Sequence, residues 1–332
     1  MLALDCAPNL VSMTAQAATV SYSATRRVRY VGEPLDMIVD ELYRKVACYI
    51  VAEQLDEETG ARLLHPIGTA FFIRVHLGPA CFIYAVTARH VIEGYENAFF
   101  RVNTFKRQYR DVPVQYEDWI FHPEADVAIC RVRFEPSIDV YPLDYGLGVE
   151  VQVGQDVFFI GLFSEFPGTE RVEALVRFGK VALPKTVVPM RHPVTGEIQQ
   201  ADAYLVEARS WGGESGAPVF VHDEHYRIDV RDLRGDYPKQ VQKSQVSSSD
   251  VGPGLLGLLH GHFENHRTVT YMKDSGPTAE VTVPSGIAVV IPASKIFETL
   301  NDKRFTQERE RIAAMYEEKF RLEHSPKPGS SD

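Results

Sequence analysis

The sequence predicts an all-β protein built as two β-units in tandem. Three observations predict it. From residue 46 onward, short apolar runs rich in β-branched and aromatic residues follow one another with turn residues between them. Few helical stretches interrupt these runs, which argues against a doubly wound parallel sheet. The pattern pauses at a Pro/Gly/Asp-containing connection near 141–148 and then resumes in the same style.

Each element has its own reason. Residues 1–30 are polar, rich in small residues and aperiodic, and read as a mobile arm. Glu33-Pro34 then opens a helical pattern, because Pro34 suits a first turn and Leu35, Ile38, Val39 and Leu42 recur at helical spacing. The first β-unit holds VACYIVA (46–52), GTAFFIRV (68–75), CFIYAVTA (81–88), NAFFRV (97–102) and DVAICRV (126–132), so helix and unit together span 31–143. The second unit spans 144–300. Its runs are DVFFIGLF (156–163), VEALVRFGKVAL (172–183), ADAYLVEA (201–208), GAPVFV (216–221), LLGLLHGHF (255–263) and GIAVVIP (286–292). Many short strands at this spacing form a sandwich or a barrel. Residues 223–253 are charged and Ser-rich and read as an insertion forming a long surface loop. Residues 301–332 comprise a helix and a polar tail. Phe305, Ile312, Met315, Tyr316 and Phe320 form its apolar stripe, which reads as packing on the protein's own domain.

The 332 residues suffice for one large or two small domains. A net charge of -10 argues against general affinity for nucleic acid or anionic lipid. The cysteines Cys6, Cys48, Cys81 and Cys130 lack metal-type or disulfide-framework spacing and read as free thiols. No apolar run approaches the ~20 residues of a membrane helix, so no membrane partner is expected. The start MLALDCAPNLVSM has no basic region and precedes Ala15-Gln16-Ala17 as a poor signal core, so the expected location is cytoplasmic rather than secreted.

Three local signals carry chemistry. Ala85-Val86-Thr87-Ala88-Arg89-His90 is a strand running into a turn at a histidine. Asp126-Val127-Ala128-Ile129 is an acid heading an apolar strand. Trp211-Gly212-Gly213-Glu214-Ser215-Gly216-Ala217-Pro218 is a glycine-rich turn around a serine. A serine hydroxyl is a weak nucleophile and needs an adjacent base, which a near-neutral imidazole supplies. A carboxylate on the far ring nitrogen fixes the tautomer. Backbone N–H groups, here those of Gly213 and Ser215, would hold the developing oxyanion. An α/β-hydrolase elbow is a competing reading of Gly213-x-Ser215, but it needs a helix after the serine, and Pro218 with a Val-Phe-Val run follows instead.

The order His90, Asp126, Ser215 resembles that of trypsin-like serine proteases. Thr87-Ala88-Arg89-His90 is similar to that family's Thr-Ala-x-His box, and Gly213-Glu214-Ser215-Gly216-Ala217-Pro218 to its Gly-Asp/Asn-Ser-Gly-Gly-Pro box. Gly68-Thr69-Ala70-Phe71, Val153-Gly154…Ile160-Gly161 and Gly286–Pro292 resemble the HtrA-type bacterial branch, and the likeness covers roughly residues 45–300. It implies two tandem antiparallel β-barrels (chymotrypsin-like) with short N- and C-terminal helices. It also implies a His90–Asp126–Ser215 triad across them, no cofactor, no metal, and a protein or peptide substrate cut through an acyl-enzyme. After Pro292 only 40 residues follow, too few for a PDZ domain.

The family's substrate pocket maps onto Arg209, Ser210 and Trp211, then Leu259, His260, Gly261 and His262. Arg209 with His260 would make it electropositive and favour an acidic residue, unless Arg209 points away. The histidines His222, His225, His260, His262 and His266 could hold a metal but read better as exposed polar residues. Val91 after the histidine suits a disulfide-free member. Glu214, longer than the usual Asp or Asn, leaves the resting shape of the oxyanion loop open. The alternative function is therefore a latent or non-catalytic protease-fold module that binds a partner and is activated conditionally. The termini could serve homo-oligomerisation or a regulatory partner.

Overall fold

The computed structural model describes residues 39–55, 60–146, 149–164, 166, 168–191, 197–209, 213–221, 253–269 and 279–324. The arm at 1–30, nearly all of the insertion 223–253 and the polar tail lie outside the described residues. The chain enters through a single helical turn, α1 (Glu41–Arg44), capped by the Asp40 carboxylate, which accepts the Leu42 N–H at 2.8 Å. The helix expected from Pro34 therefore appears, within the described residues, only from Glu41, because Asp40 is extended at φ −62°, ψ 138°.

The first unit is one curled sheet. Its strands are β1 (Ala47–Leu55), β2 (Arg62–Leu77), β3 (Ala80–Thr87), β4 (Asn97–Asn103), β5 (Tyr109–Gln115), β6 (Trp119–Phe121) and β7 (Ala128–Val132), in the order β5-β4-β1-β2-β3-β7-β6. These pairs are antiparallel, and a two-residue β8 (Leu143–Asp144) adds to β2 in parallel. The edge strands β5 and β6 are joined only by the 3-10 turn Tyr116–Asp118. Flat, a seven-strand path would separate its edges by about 29 Å at ~4.8 Å per strand. Three residues span roughly 10 Å. The sheet must therefore curl into a half-barrel. In β4 the alternation is plain, with Ala98, Phe100 and Val102 turned into the core.

The second unit is a closed barrel of β9 (Asp156–Gly161), β10 (Leu175–Arg191), β11 (Ile198–Glu207), β12 (Pro218–Val221), β13 (Gly254–Val269) and β14 (Ala279–Pro292), in the order β10-β11-β14-β13-β12-β9. The fold is thus the all-β, chymotrypsin-like pair of β-units that the sequence led us to expect. The units share apolar packing: Tyr43 meets the Phe158 and Phe220 rings edge-on at 6.3 and 5.5 Å, and one buried cluster runs from Phe71 and Val86 to Phe158, Leu258 and Ile291.

A one-turn helix α2 (Arg89–Ile92) lies between β3 and β4, and α3 (Ala293–Leu300) and α4 (Lys303–His324) follow β14. α4 returns to the first sheet. Phe305 packs edge-on against Tyr84 at 4.8 Å, and the buried Arg309 donates to the Tyr84 hydroxyl at 3.1 Å and the Leu300 carbonyl at 3.0 Å. Phe305 is buried and Ile312 and Tyr316 half-buried, but Met315 faces solvent; Ala313 takes the inward position instead. Cys48, Cys81 and Cys130 are buried, and burial pushes the Cys48 and Cys130 thiols up. Among the described residues no helix is long and apolar enough to cross a membrane.

Candidate active site

The three sequence signals meet at the seam between the two units. β3 ends at Thr87, and the chain turns through α2, which carries His90 in its single turn. Asp126 does not sit in a strand; it lies two residues before β7, in a turn closed by His122 N–H to Val127 carbonyl (3.0 Å) and Val127 N–H to Ala125 carbonyl (2.8 Å).

His122 braces that turn. Its Nδ1 accepts the N–H groups of Glu124 (3.0 Å) and Ala125 (2.8 Å), so the ring proton resides on Nε2, which donates to Glu298 on α3 at 3.0 Å. Burial works to raise the Glu298 pKa, but His122 and Lys295 outweigh it and hold the carboxyl below its ordinary value. The sequence reading passed over His122. Its signal was local: a histidine four residues ahead of the candidate acid, able to bond the turn's own backbone.

Asp126 grips His90 twice. Oδ1 accepts the His90 backbone N–H at 2.9 Å, and Oδ2 accepts from ring Nδ1 at 2.7 Å. With the proton on Nδ1, Nε2 is the basic nitrogen. Asp126 is only 8% exposed. Burial acts to raise its pKa, yet the charge and hydrogen bonds of His90 and His260 together hold it well below the usual carboxylate range.

Ser215 sits on a turn stitched to the first unit by one residue of β2. Thr69 donates its N–H to the Ser215 carbonyl at 2.8 Å and its hydroxyl to the Gly213 carbonyl at 2.7 Å, and its own carbonyl accepts the Thr87 hydroxyl at 2.7 Å. From the other side, Gly216 N–H donates to the Leu259 carbonyl at 2.7 Å, and Leu259 N–H to the Ala217 carbonyl at 2.8 Å. Gly216 has φ +87°, and a Cβ there would collide with the Thr69 carbonyl oxygen and the Thr87 hydroxyl. Glycine after the serine is thus a steric requirement of bringing this turn against β2 and β3. Among the described residues, neither the Gly213 nor the Ser215 N–H donates to another group.

Two features depart from the sequence expectations. The Ser215 hydroxyl donates to the His260 carbonyl at 3.0 Å rather than to His90. His260, grouped with the exposed polar histidines, is only 16% exposed, and its Nδ1 bonds the same Asp126 oxygen that holds His90. The reason is β13: Leu259 is locked to the serine turn by two backbone bonds, so the next residue lies beside Ser215 and Asp126. The His90 and His260 rings stand at 79° with centroids 5.1 Å apart.

Arg209 is exposed two residues past β11, Gly261 and His262 are half-buried on β13, and Ser210 and Trp211 lie outside the described residues. His260 Nδ1 bonds Asp126, and the Arg209 residue is exposed. His222 and His225 also lie outside the described residues, as does the His266 side chain. Glu214 is turned inward, 1% exposed, and its carboxylate pairs with Arg177 of β10.

Residues 68–226 match the family model described as the trypsin-like peptidase domain. No curated protein matches the chain. Among solved structures, the MamO protease domain from Magnetospirillum magneticum (apo form) is 14% identical with TM-score 0.45, covering 79% of this chain and 99% of that one. The active form of the Rv3671c protease from M. tuberculosis is 17% identical with TM-score 0.42, covering 82% and 93%. Deg5 is 15% identical with TM-score 0.39, covering 77% and 88%.

Proposed function

We propose that this chain, whose residues 68–226 match the trypsin-like peptidase domain, is a serine endopeptidase. The observation that carries the proposal is the double grip of Asp126 on His90, which leaves Nε2 as the basic nitrogen, with the same Asp126 bonded to His260, whose carbonyl holds the Ser215 hydroxyl. His90 Nε2 takes the Ser215 proton as the hydroxyl oxygen attacks the peptide carbonyl, and Asp126 stabilises the imidazolium. The Gly213 and Ser215 N–H groups receive the oxyanion. His90 then protonates the leaving amine, and water, deprotonated by the same ring, hydrolyses the acyl-enzyme. This chemistry draws on no cofactor.

In the resting arrangement the Ser215 hydroxyl donates to the His260 carbonyl, so it must leave that acceptor before its proton passes to His90. That bond also favours a second reading, a latent module in which a partner or effector triggers the release. The test is cleavage of a peptide library by the purified chain. Turnover that falls on the order of a millionfold in Ser215→Ala and His90→Ala supports the protease. Turnover unchanged in either variant excludes it, and turnover that appears only on adding cell lysate supports the latent reading.

A further inference from the structure

His260 is left over by the proposed reaction, which needs only one imidazole on Asp126. Asp126 Oδ2 nonetheless lies against the Nδ1 atoms of both His90 and His260. One nitrogen from each ring and one carboxylate oxygen all fall within 4.8 Å of one another. The three side chains are 17%, 8% and 16% exposed, so the cluster is largely shielded from solvent. We propose that His90, Asp126 and His260 form a binding site for a divalent transition-metal cation of the Zn²⁺ type, and that its occupancy silences Ser215.

The donor chemistry selects the ion. Two imidazoles and one carboxylate are a three-ligand set for tetrahedral Zn²⁺, with the fourth position left to water. Mg²⁺ and Ca²⁺ prefer six or more oxygen ligands, which this cluster does not offer. Ligand atoms about 2.0–2.1 Å from the metal stand roughly 3.3 Å apart in a tetrahedron. The His90–Asp126 separation of 2.7 Å therefore has to open by about half an ångström, a tilt of side chains rather than a shift of backbone. The 79° angle between the rings lets their Nδ1 lone pairs converge on one point instead of stacking.

The proton balance gives the consequence. Each ring now points an Nδ1 proton at Asp126. To bind the cation through Nδ1, a neutral ring moves that proton by way of solvent to Nε2, with no net release; a protonated ring releases one proton to solvent. With Nε2 of His90 protonated and Nδ1 on the metal, the ring has no lone pair for the Ser215 proton. The binding stands on geometry alone, whereas the silencing rests on the protease reading above.

Calorimetric titration of the metal-free full chain with Zn²⁺, and visible absorption with Co²⁺, test the proposal. One equivalent bound with a tetrahedral Co²⁺ spectrum is expected. His260→Gln and Asp126→Asn should each weaken it by at least about 100-fold, the most that losing an outer-shell partner costs, while His262→Gln keeps it. Circular dichroism checks that each variant is folded, and His260→Gln stands alone if Asp126→Asn does not fold. No saturable uptake of one equivalent, or uptake retained in His260→Gln, overturns the site. Fluorophosphonate labelling of the wild type should fall as Zn²⁺ fills the site. Labelling indifferent to bound Zn²⁺ overturns the silencing. A chain that binds Zn²⁺ through His260 but never labels keeps the site and refutes the protease reading instead.

Discussion

Replacing Arg177 by Met tests how the turn bearing Ser215 is held. Glu214 is 1% exposed and its carboxylate accepts from Nε of Arg177, which is 22% exposed. The stem of Glu214 fits so closely over the end of β9 that a Cβ on Gly161 would lie 2.8 Å from its Cγ. Removing one partner of a buried ion pair costs about 3–5 kcal/mol, because a charge is left uncompensated. The partial exposure of Arg177 lets water into the gap and places the loss near 3 kcal/mol. At roughly 2 °C per kcal/mol for a chain of this size, the melting temperature should fall by about 6 °C. Ser215 is the next residue, so its labelling by a fluorophosphonate should slow in parallel. Adding Glu214→Gln to Arg177→Met should recover part of the lost stability, since the buried charge is gone. A melting temperature within about 1 °C of wild type, with unchanged labelling, would refute the reasoning.

Gly216→Ala should cost roughly 4 kcal/mol or more, from positive φ and the collision with Thr69 and Thr87, and chemical denaturation reads it directly. His122→Ala removes the acceptor of two turn N–H groups and the bond to Glu298; a loss of about 2–3 kcal/mol in urea is expected, with slower turnover because the Asp126 turn loosens. Asp126 has a folded pKa held below its ordinary 3.8, so its contribution to stability is present above that value and is lost as pH falls through the folded pKa. The stability difference between wild type and Asp126→Asn should therefore hold from pH 7 down to about 4 and narrow below it, as acid-series melting curves would show.

Much of this fold was legible because its interior strands are strongly patterned. The run 97–102 sets Ala98, Phe100 and Val102 on one face and becomes β4, and 81–88 is almost uniformly apolar and becomes the doubly flanked β3. β5 escaped notice because it is an edge strand, YRDVPVQ, whose polar residues and Pro113 fit only where one side lacks a partner. β6 and β8 are too short to show a period. At the site, His90, Asp126 and Ser215 could be read because each lies in a local motif. The bond between Asp126 and His260 could not, since it joins residues 134 apart in the chain, and only the pairing of Leu259 with the serine turn brings them together. Glu214 raised the right question in the sequence, and its answer lay on a different strand, in Arg177 of β10.

The central claim is that Ser215 is the nucleophile of a hydrolase, activated by His90. Incubating the purified chain with a fluorophosphonate and mapping the adduct by peptide mass spectrometry tests it most directly. The account predicts a single adduct on Ser215, absent in Ser215→Ala and strongly slowed in His90→Ala. An adduct that persists in Ser215→Ala, or that maps to another residue, would contradict it.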